Sequence, residues 1–509
     1  MCLSQPDAQI HPYPIASRLS APAAYILPFV ILAHSARIDL RFLLLKIRRL
    51  SAWAFPLALL IALSASLTAC GTHHQFAGRT VAPSCIAYGN GHQAAVCNRA
   101  LVAIRNADTA GGGALQILDA ANDQHESHDG RTLRFLISGY SGKVPSFLLN
   151  YPEEQTGFIY NAGNGLVDRI NYATEAATTG ISTGGTPNIN SLAISSDGRY
   201  LFAAQQASNI VLVTDGNLGF TGLQLKLPNV FAVAANPSGT VALAFVQNSD
   251  SVYRVLRLQA NQAPPAGFTD CEPVNVPRYC LLPVPGNFDR PAGAYFSPDG
   301  STAFVLNSGP EMGGTTASVS YIPTAGITTT SFPTGPITSP VTATVPVPGG
   351  VTVALSDGVT LYTAGSQLQG DGLFAGRLSL IDIASQTVKA TYNISDGTHG
   401  RMRFADDATL WIGSTQCATG ELNKGLALPT FGCLTMFNIA NNTVLIEPYL
   451  GDLTGIANIV GFHKVYVAEG GQVYRYNTPD GSNPPVPTIF VAGTAWDVAY
   501  MDAPSNLQD

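Results

Sequence analysis

The chain has 509 residues, of which 46% are apolar and only 12% charged, with 50 Gly and 34 Pro. An average soluble chain carries about 25% charged residues, and the apolar share here is enough for a sizeable core. That composition excludes a disordered acidic or basic protein, a coiled coil and a helical bundle, and leaves a turn-rich, all-β chain.

In chain order, the first legible element is an export signal at residues 46–70. Lys46, Arg48 and Arg49 form a positive start, residues 53–66 are apolar, and Leu67-Thr68-Ala69-Cys70 closes the segment. It resembles the bacterial lipoprotein lipobox. The resemblance implies cleavage before Cys70, acylation of that Cys, and a chain tethered to a membrane of the cell envelope, facing the periplasm or the cell surface. An uncleaved anchor is the rival, but residues 51–69 are barely long enough to span a bilayer. Residues 1–45 hold a second apolar stretch at 23–33 and no Met after Met1, which points to an over-extended N-terminus. The expected organisation is an export segment at 1–69, a lipid-anchored linker at 70–97 and one folded domain at 98–509.

Removing 1–69 takes away six basic and two acidic residues, so 20 basic and 31 acidic residues remain, net −11. A nucleic-acid binder needs a concentrated basic face. None is visible, and that class is disfavoured. Apart from Cys2 and Cys70, six cysteines remain, in three local couples. In an oxidising compartment the simplest pairing is Cys85–Cys97, Cys271–Cys280 and Cys417–Cys433, each contributing about 2–4 kcal/mol. A zinc site is the rival, but C-x2-C spacing and interleaved His are lacking.

From residue 98 onward a motif recurs: an apolar strand, a tight polar-Gly turn, then another apolar strand. Ser195-Ser196-Asp197-Gly198, Asn236-Pro237-Ser238-Gly239, Ser297-Pro298-Asp299-Gly300 and Ser356-Asp357-Gly358 are the clear turns. Weaker copies lie at 147–160, 402–412 and 459–467. Asp-Gly between apolar runs is a strong hairpin signal, because Gly accepts the positive φ that such turns need. Runs such as 210–213 and 378–381 are apolar throughout, as in strands buried on both faces. Small sheets of this kind must stack on one another, and the arrangement that satisfies them all is a β-propeller of four-stranded blades.

Inner strands are placed near Ser146, Ser191, Phe231, Gly293, Thr352, Met402, Ala457 and Asp497, giving eight blades, with seven if one weak copy is an excursion. Too little chain follows Asp497 to complete a blade. Segments 100–104, 114–118 and 133–137 are expected to supply its missing strands, closing the ring with strands from both termini. Insertions decorate the ring at 261–277, 324–348 and 415–432. Ser297-Pro298-Asp299-Gly300 and Leu380-Ile381-Asp382 resemble the YVTN-type propeller repeat. That family implies a secreted or surface binding scaffold, with lactonases among its relatives.

Loops leading into the inner strands converge on one channel mouth, where ligands bind propellers. The residues there are Lys143, Asn190, Asn229, Arg290, His399, Arg401, Asn458 and Trp496. Arg290, His399 and Arg401 place positive charge on an otherwise acidic chain, which points to a small anionic ligand or a partner protein. The bland alternative is a set of solvated or loop-capping residues. Other strings are discounted. Gly180-Ile181-Ser182-Thr183-Gly184 matches a nucleophile elbow by letter but is expected in a loop, without the strand–turn–helix that chemistry needs. Gly89-Asn90-Gly91-His92 lacks a βαβ unit. His125-Glu126-Ser127-His128-Asp129 reads as a polar hairpin tip, and Trp411 as core.

No catalytic constellation, cofactor motif or metal site is legible. The leading expectation is a non-enzymatic, membrane-anchored binding scaffold. The alternative is a lactonase-like hydrolase at the channel mouth, for which His399 is the visible acid–base group. A quinone-dependent dehydrogenase is weaker still, since the exported part has only Trp411 and Trp496 in place of repeated Trp motifs.

Overall fold

The polar turns fold alike because their side chains do the same work. The Ser195 hydroxyl donates to Asp197 Oδ1 at 2.6 Å and accepts the Tyr200 N–H at 2.9 Å. Ser297 repeats both bonds, to Asp299 at 2.5 Å and from Thr302 at 3.0 Å. The closing glycines, Gly198 and Gly300, have φ of 71° and 70°, where a Cβ would be strained.

The computed structural model describes residues 98–506, apart from 109–110, 126–135, 184–188, 217–221, 260–261, 264–270, 272–278 and 333–337. The export segment, Cys70 and the Cys85–Cys97 couple lie outside these residues, as do 126–129 of the His125 cluster.

The hairpins build eight four-stranded antiparallel sheets. Seven are consecutive, each running from its innermost strand outward: blade 1 at 145–182, blade 2 at 191–226, blade 3 at 230–284, blade 4 at 291–346, blade 5 at 353–393, blade 6 at 398–448 and blade 7 at 453–489. Blade 8 takes its innermost strand, Thr494–Tyr500, from the C-terminal end. Its other strands are Arg99–Arg105, Ala114–Asp119 and Gln124–His125. The domain is therefore an eight-bladed β-propeller, closed by pairing of Arg99–Arg105 with Thr494–Tyr500. Closure of this kind leaves neither terminal blade with a bare inner edge.

Every expected inner-strand position falls in an innermost strand, except Thr352, which precedes Val353–Ser356 by one residue. The described outermost strand of blade 8 is Gln124–His125, which was not expected; of the 133–137 segment, 133–135 lie outside the described residues and Leu136 bridges Gln116 of the neighbouring strand. An outermost strand faces water on its free edge, so a short polar pair serves there as well as an apolar run.

Blades pack face to face through their middle strands. Ile210–Asp215 of blade 2 is buried along its whole length. Between blades 6 and 7, fully buried Trp411 lies 5.7 Å from Tyr476 and donates its indole N–H to Thr409 Oγ1 at 3.1 Å. Such an aromatic pair adds about 0.5–1.5 kcal/mol beyond the area it buries. Two of the expected disulfides, Cys271–Cys280 and Cys417–Cys433, are formed, and they pin the insertions of blades 3 and 6.

Candidate functional site

The channel mouth is the end at which the innermost strands begin. Six of the eight carry a bulge within their first turn of pairing, at Ser146, Phe231, Ala292, Gly400, Thr454 and Trp496. A bulge re-aims the side chain or carbonyl at its position. Here the extra residue repeats around the rim of one opening.

The bulge at Trp496 sends its indole N–H to the Ser146 carbonyl at 2.9 Å and lays the ring beneath Arg105, whose guanidinium carbon sits 3.1 Å from the ring centroid. Arg105 is fixed by bonds to the Pro145 carbonyl at 2.8 Å and the Ser146 hydroxyl at 3.0 Å. Burial lowers its pKa to about 10, so it stays a cation at neutral pH. The bulge at Thr454 turns a carbonyl towards Arg401, which donates Nε to it at 2.8 Å and Nη2 to Asp497 Oδ2, also at 2.8 Å.

Asp497 lies in the innermost strand of blade 8 and is buried. Burial raises its pKa, while Arg401, the Val498 N–H and Arg403 pull the other way. Gly455 makes room for it: a Cβ there would overlap the Asp497 carboxylate and backbone.

The structure thus joins Arg401 and Trp496 through the C-terminal strand. The other expected residues are not joined to this group. Asn190 and Asn229 shape loops: Asn190 Oδ1 accepts the Gln206 N–H at 3.1 Å, and Asn229 has φ of 56° with its N–H on Asn209 Oδ1 at 2.8 Å. Arg290 is tied to Asp250 and to the Gly313 carbonyl. Lys143 holds a neighbouring loop through its carbonyl, which accepts the Gly163 N–H. Asn458 sits at the far end of its inner strand, away from the mouth. His399 is buried and donates Nε2–H to the Ser395 carbonyl at 2.8 Å, and its Nδ1 has no hydrogen-bond partner among the described residues. Burial lowers its pKa to about 4, so the ring is neutral at physiological pH.

Arg105, Arg403 and Asp497 were not singled out as site residues from the sequence. Arg403 carried a usable signal, because Arg401-Met402-Arg403 in a strand places both arginines on one face. A further group without any local signal is Glu311, in the short 3-10 helix Gly309–Met312 between two strands of blade 4. It borders a cleft of about 310 Å³ with Ser366, Phe374, Thr398 and Gln416. Its Oε2 accepts the Ser366 N–H at 2.8 Å, and burial outweighs that bond to push its pKa up to about 7. A Cβ at Gly350 would overlap this carboxylate. Gly180-Ile181-Ser182 ends an outer strand, Ala176–Ser182, rather than lying in a loop. Among the described residues, no group of three His, Cys, Asp or Glu could hold a metal ion.

Comparison with known proteins gives the fold. No family model matches the chain, and no curated protein matches it. Among solved structures, it is similar to the dihydro-heme d1 dehydrogenase NirN in complex with DHE: TM-score 0.52, 13% identity, covering 82% of this chain and 77% of that one. It is also similar to Kuenenia stuttgartiensis hydrazine synthase, with TM-score 0.39, 16% identity and coverage of 69% and 80%. The β-propeller domain of Myceliophteria thermophila Swd1 gives TM-score 0.38, 11% identity and coverage of 71% and 92%. At 13% identity the likeness to the first of these is one of fold alone.

Proposed function

We propose that this chain is an exported, lipid-anchored propeller of the YVTN type. It acts as a non-enzymatic binding scaffold and takes a small carboxylate-bearing ligand at its channel mouth. The observation that carries the reading is the state of Arg401. Its Nε and Nη2 are engaged, its Nη1 has no hydrogen bond among the described residues, and its side chain is 27% exposed. With Arg403 near the same Asp497, and Arg105 beside it on Trp496, arginines outnumber the carboxylate they surround. A guanidinium with a free edge is the group best shaped for a carboxylate.

Thermal-shift measurements with acetate, succinate and citrate at fixed ionic strength test the site. A ligand that binds only the folded state raises the melting temperature with concentration. The expected outcome is a rise for at least one carboxylate that Arg401→Ala abolishes. No rise for any of them, or a rise that Arg401→Ala leaves intact, rejects the site. The anchor is tested separately by palmitate labelling, which Cys70→Ala should eliminate.

The hydrolase reading keeps one observation on its side: a carboxyl tuned near neutrality in a cleft, Glu311, is the kind of group acid–base catalysis uses. Metal analysis together with a lactone-hydrolysis assay decides. Turnover that Glu311→Gln removes would favour the enzyme.

A further inference from the structure

Blades of a propeller splay apart with distance from the axis, so the outer part of each interface must be filled by large side chains or stand open. Between blades 5 and 6 it is filled, with Tyr392 5.0 Å from Phe437. Between blades 1 and 2 it is open among the described residues. A cleft of about 600 Å³ lies there, in the middle of the range for small-molecule pockets.

The sequence accounts for the gap. On blade 1, Phe158, Arg169 and Thr178 stand in register across three strands, and the outer strand bulges between Thr178 and Ile181. On blade 2, the facing outer positions are Gly222 and Gln224. Thr178 on one wall and Gly222 on the other, with a bulge that bends one edge away, leave the wedge unfilled by any described residue. Phe158 and Leu212, both buried, form an apolar floor. Arg169 is the charged residue of the described lining. Its Nε donates to Thr156 Oγ1 at 3.1 Å, and its guanidinium carbon stands 5.9 Å from the Phe158 ring centroid. The neighbouring carboxylate, Asp168, is on the opposite face of the strand, buried and held by Asn161 at 2.8 Å.

We infer that this wedge binds an amphipathic monoanion, its apolar body against Phe158 and Leu212 and its acidic head on Arg169. An apolar floor with one cation at its rim favours neither a neutral hydrocarbon nor a cation. The site is separate from the channel mouth and does not depend on the reading given there.

Calorimetric titration of the purified full chain with octanoate, octan-1-ol and octylammonium tests it. Octanoate should bind with 1:1 stoichiometry, and the other two at least tenfold more weakly. Arg169→Ala should weaken octanoate at least tenfold, as expected for losing a charge-assisted hydrogen bond. Lys389→Ala, which removes a rim cation of blade 5, should leave it unchanged. Thr178→Trp and Gln224→Trp fill the wedge from opposite walls, and either one, if folded, should abolish binding. Octan-1-ol binding as tightly as octanoate, unchanged affinity in Arg169→Ala, or unchanged affinity in a folded Trp variant would each overturn the inference. If neither Trp variant folds, Arg169→Ala decides.

Discussion

The C-terminal strand Thr494–Tyr500 is held by two arginine–aspartate pairs, one at its middle and one just past its far end, and the two are built differently. Just past its far end, Asp502 receives Arg99 Nε at 3.0 Å and Nη2 at 2.6 Å, together with the backbone N–H groups of Asn98 and Arg99. Arg99 Nη1 goes to Glu175 and to the Tyr172 carbonyl, both at 2.8 Å. Every guanidinium nitrogen is engaged and the residue is 1% exposed. Burial alone would lower its pKa, but Asp502 and Glu175 hold it above the ordinary value. Near the mouth, Arg401 gives Asp497 a single bond and keeps one terminal nitrogen without a hydrogen bond among the described residues. A buried pair gains only when its hydrogen bonds are complete, because both charges have left water. The complete pair joins the N-terminal strand, blade 1 and the C-terminus at the seam. The incomplete one is left for a ligand to complete.

Removing one partner of the complete pair should have the largest effect. Arg99→Ala leaves Asp502 and Glu175 buried without their cation, and should cost about 3–5 kcal/mol, read as a lower urea midpoint. Arg401→Ala uncovers one buried carboxylate that keeps a backbone N–H, and should cost less, about 1–3 kcal/mol. A larger loss for Arg401→Ala than for Arg99→Ala would break the comparison. The double change Arg401→Met with Asp497→Leu sharpens it, since replacing both partners with apolar groups is often neutral. Recovery of stability with no recovery of carboxylate binding would separate the two roles of that pair.

The architecture was legible in the sequence because each blade writes its own local signal. The Ser-x-Asp-Gly turns fix where a strand reverses, and the fully apolar runs fix which strands lie in the middle of a stack. Closure followed from counting, since the last inner strand had no partners downstream. The site was less legible because its contacts are made by the ring. Arg401 and Asp497 are 96 residues apart and meet across blade 7, and nothing local to either names the other. The bulges escape notice because an extra residue shows only against its partner strand. His399 lies at the start of its innermost strand, but its chemistry depends on burial, which periodicity does not convey. The wedge between blades 1 and 2 depends on small residues facing one another from separate sheets, and no single segment records that.

A buried carboxylate with no arginine at all extends the comparison to an effect that depends on pH. Glu469, in blade 7, is fully buried. The Tyr476 hydroxyl donates to its Oε2 at 3.3 Å, and its Oε1 has no partner among the described residues. Burial pushes its pKa up to about 8, against the Tyr476 bond and with help from Glu447. An unfolded Glu titrates near about 4.3. Between these values the folded chain keeps a proton that the unfolded chain has lost, so this group's contribution is present at low pH and falls away as pH rises to about 8. Glu469→Gln preserves the shape and removes the titration. The variant's melting temperature should gain on the parent's as pH rises from 5 to 8. Glu447, pushed up to about 7 by burial and Asp480, titrates in the same window in both proteins, so the difference between them reads Glu469 together with its repulsion by Glu447. A difference that does not grow with pH would mean that Glu469 is ionised in the fold, and that a buried carboxylate here needs no arginine.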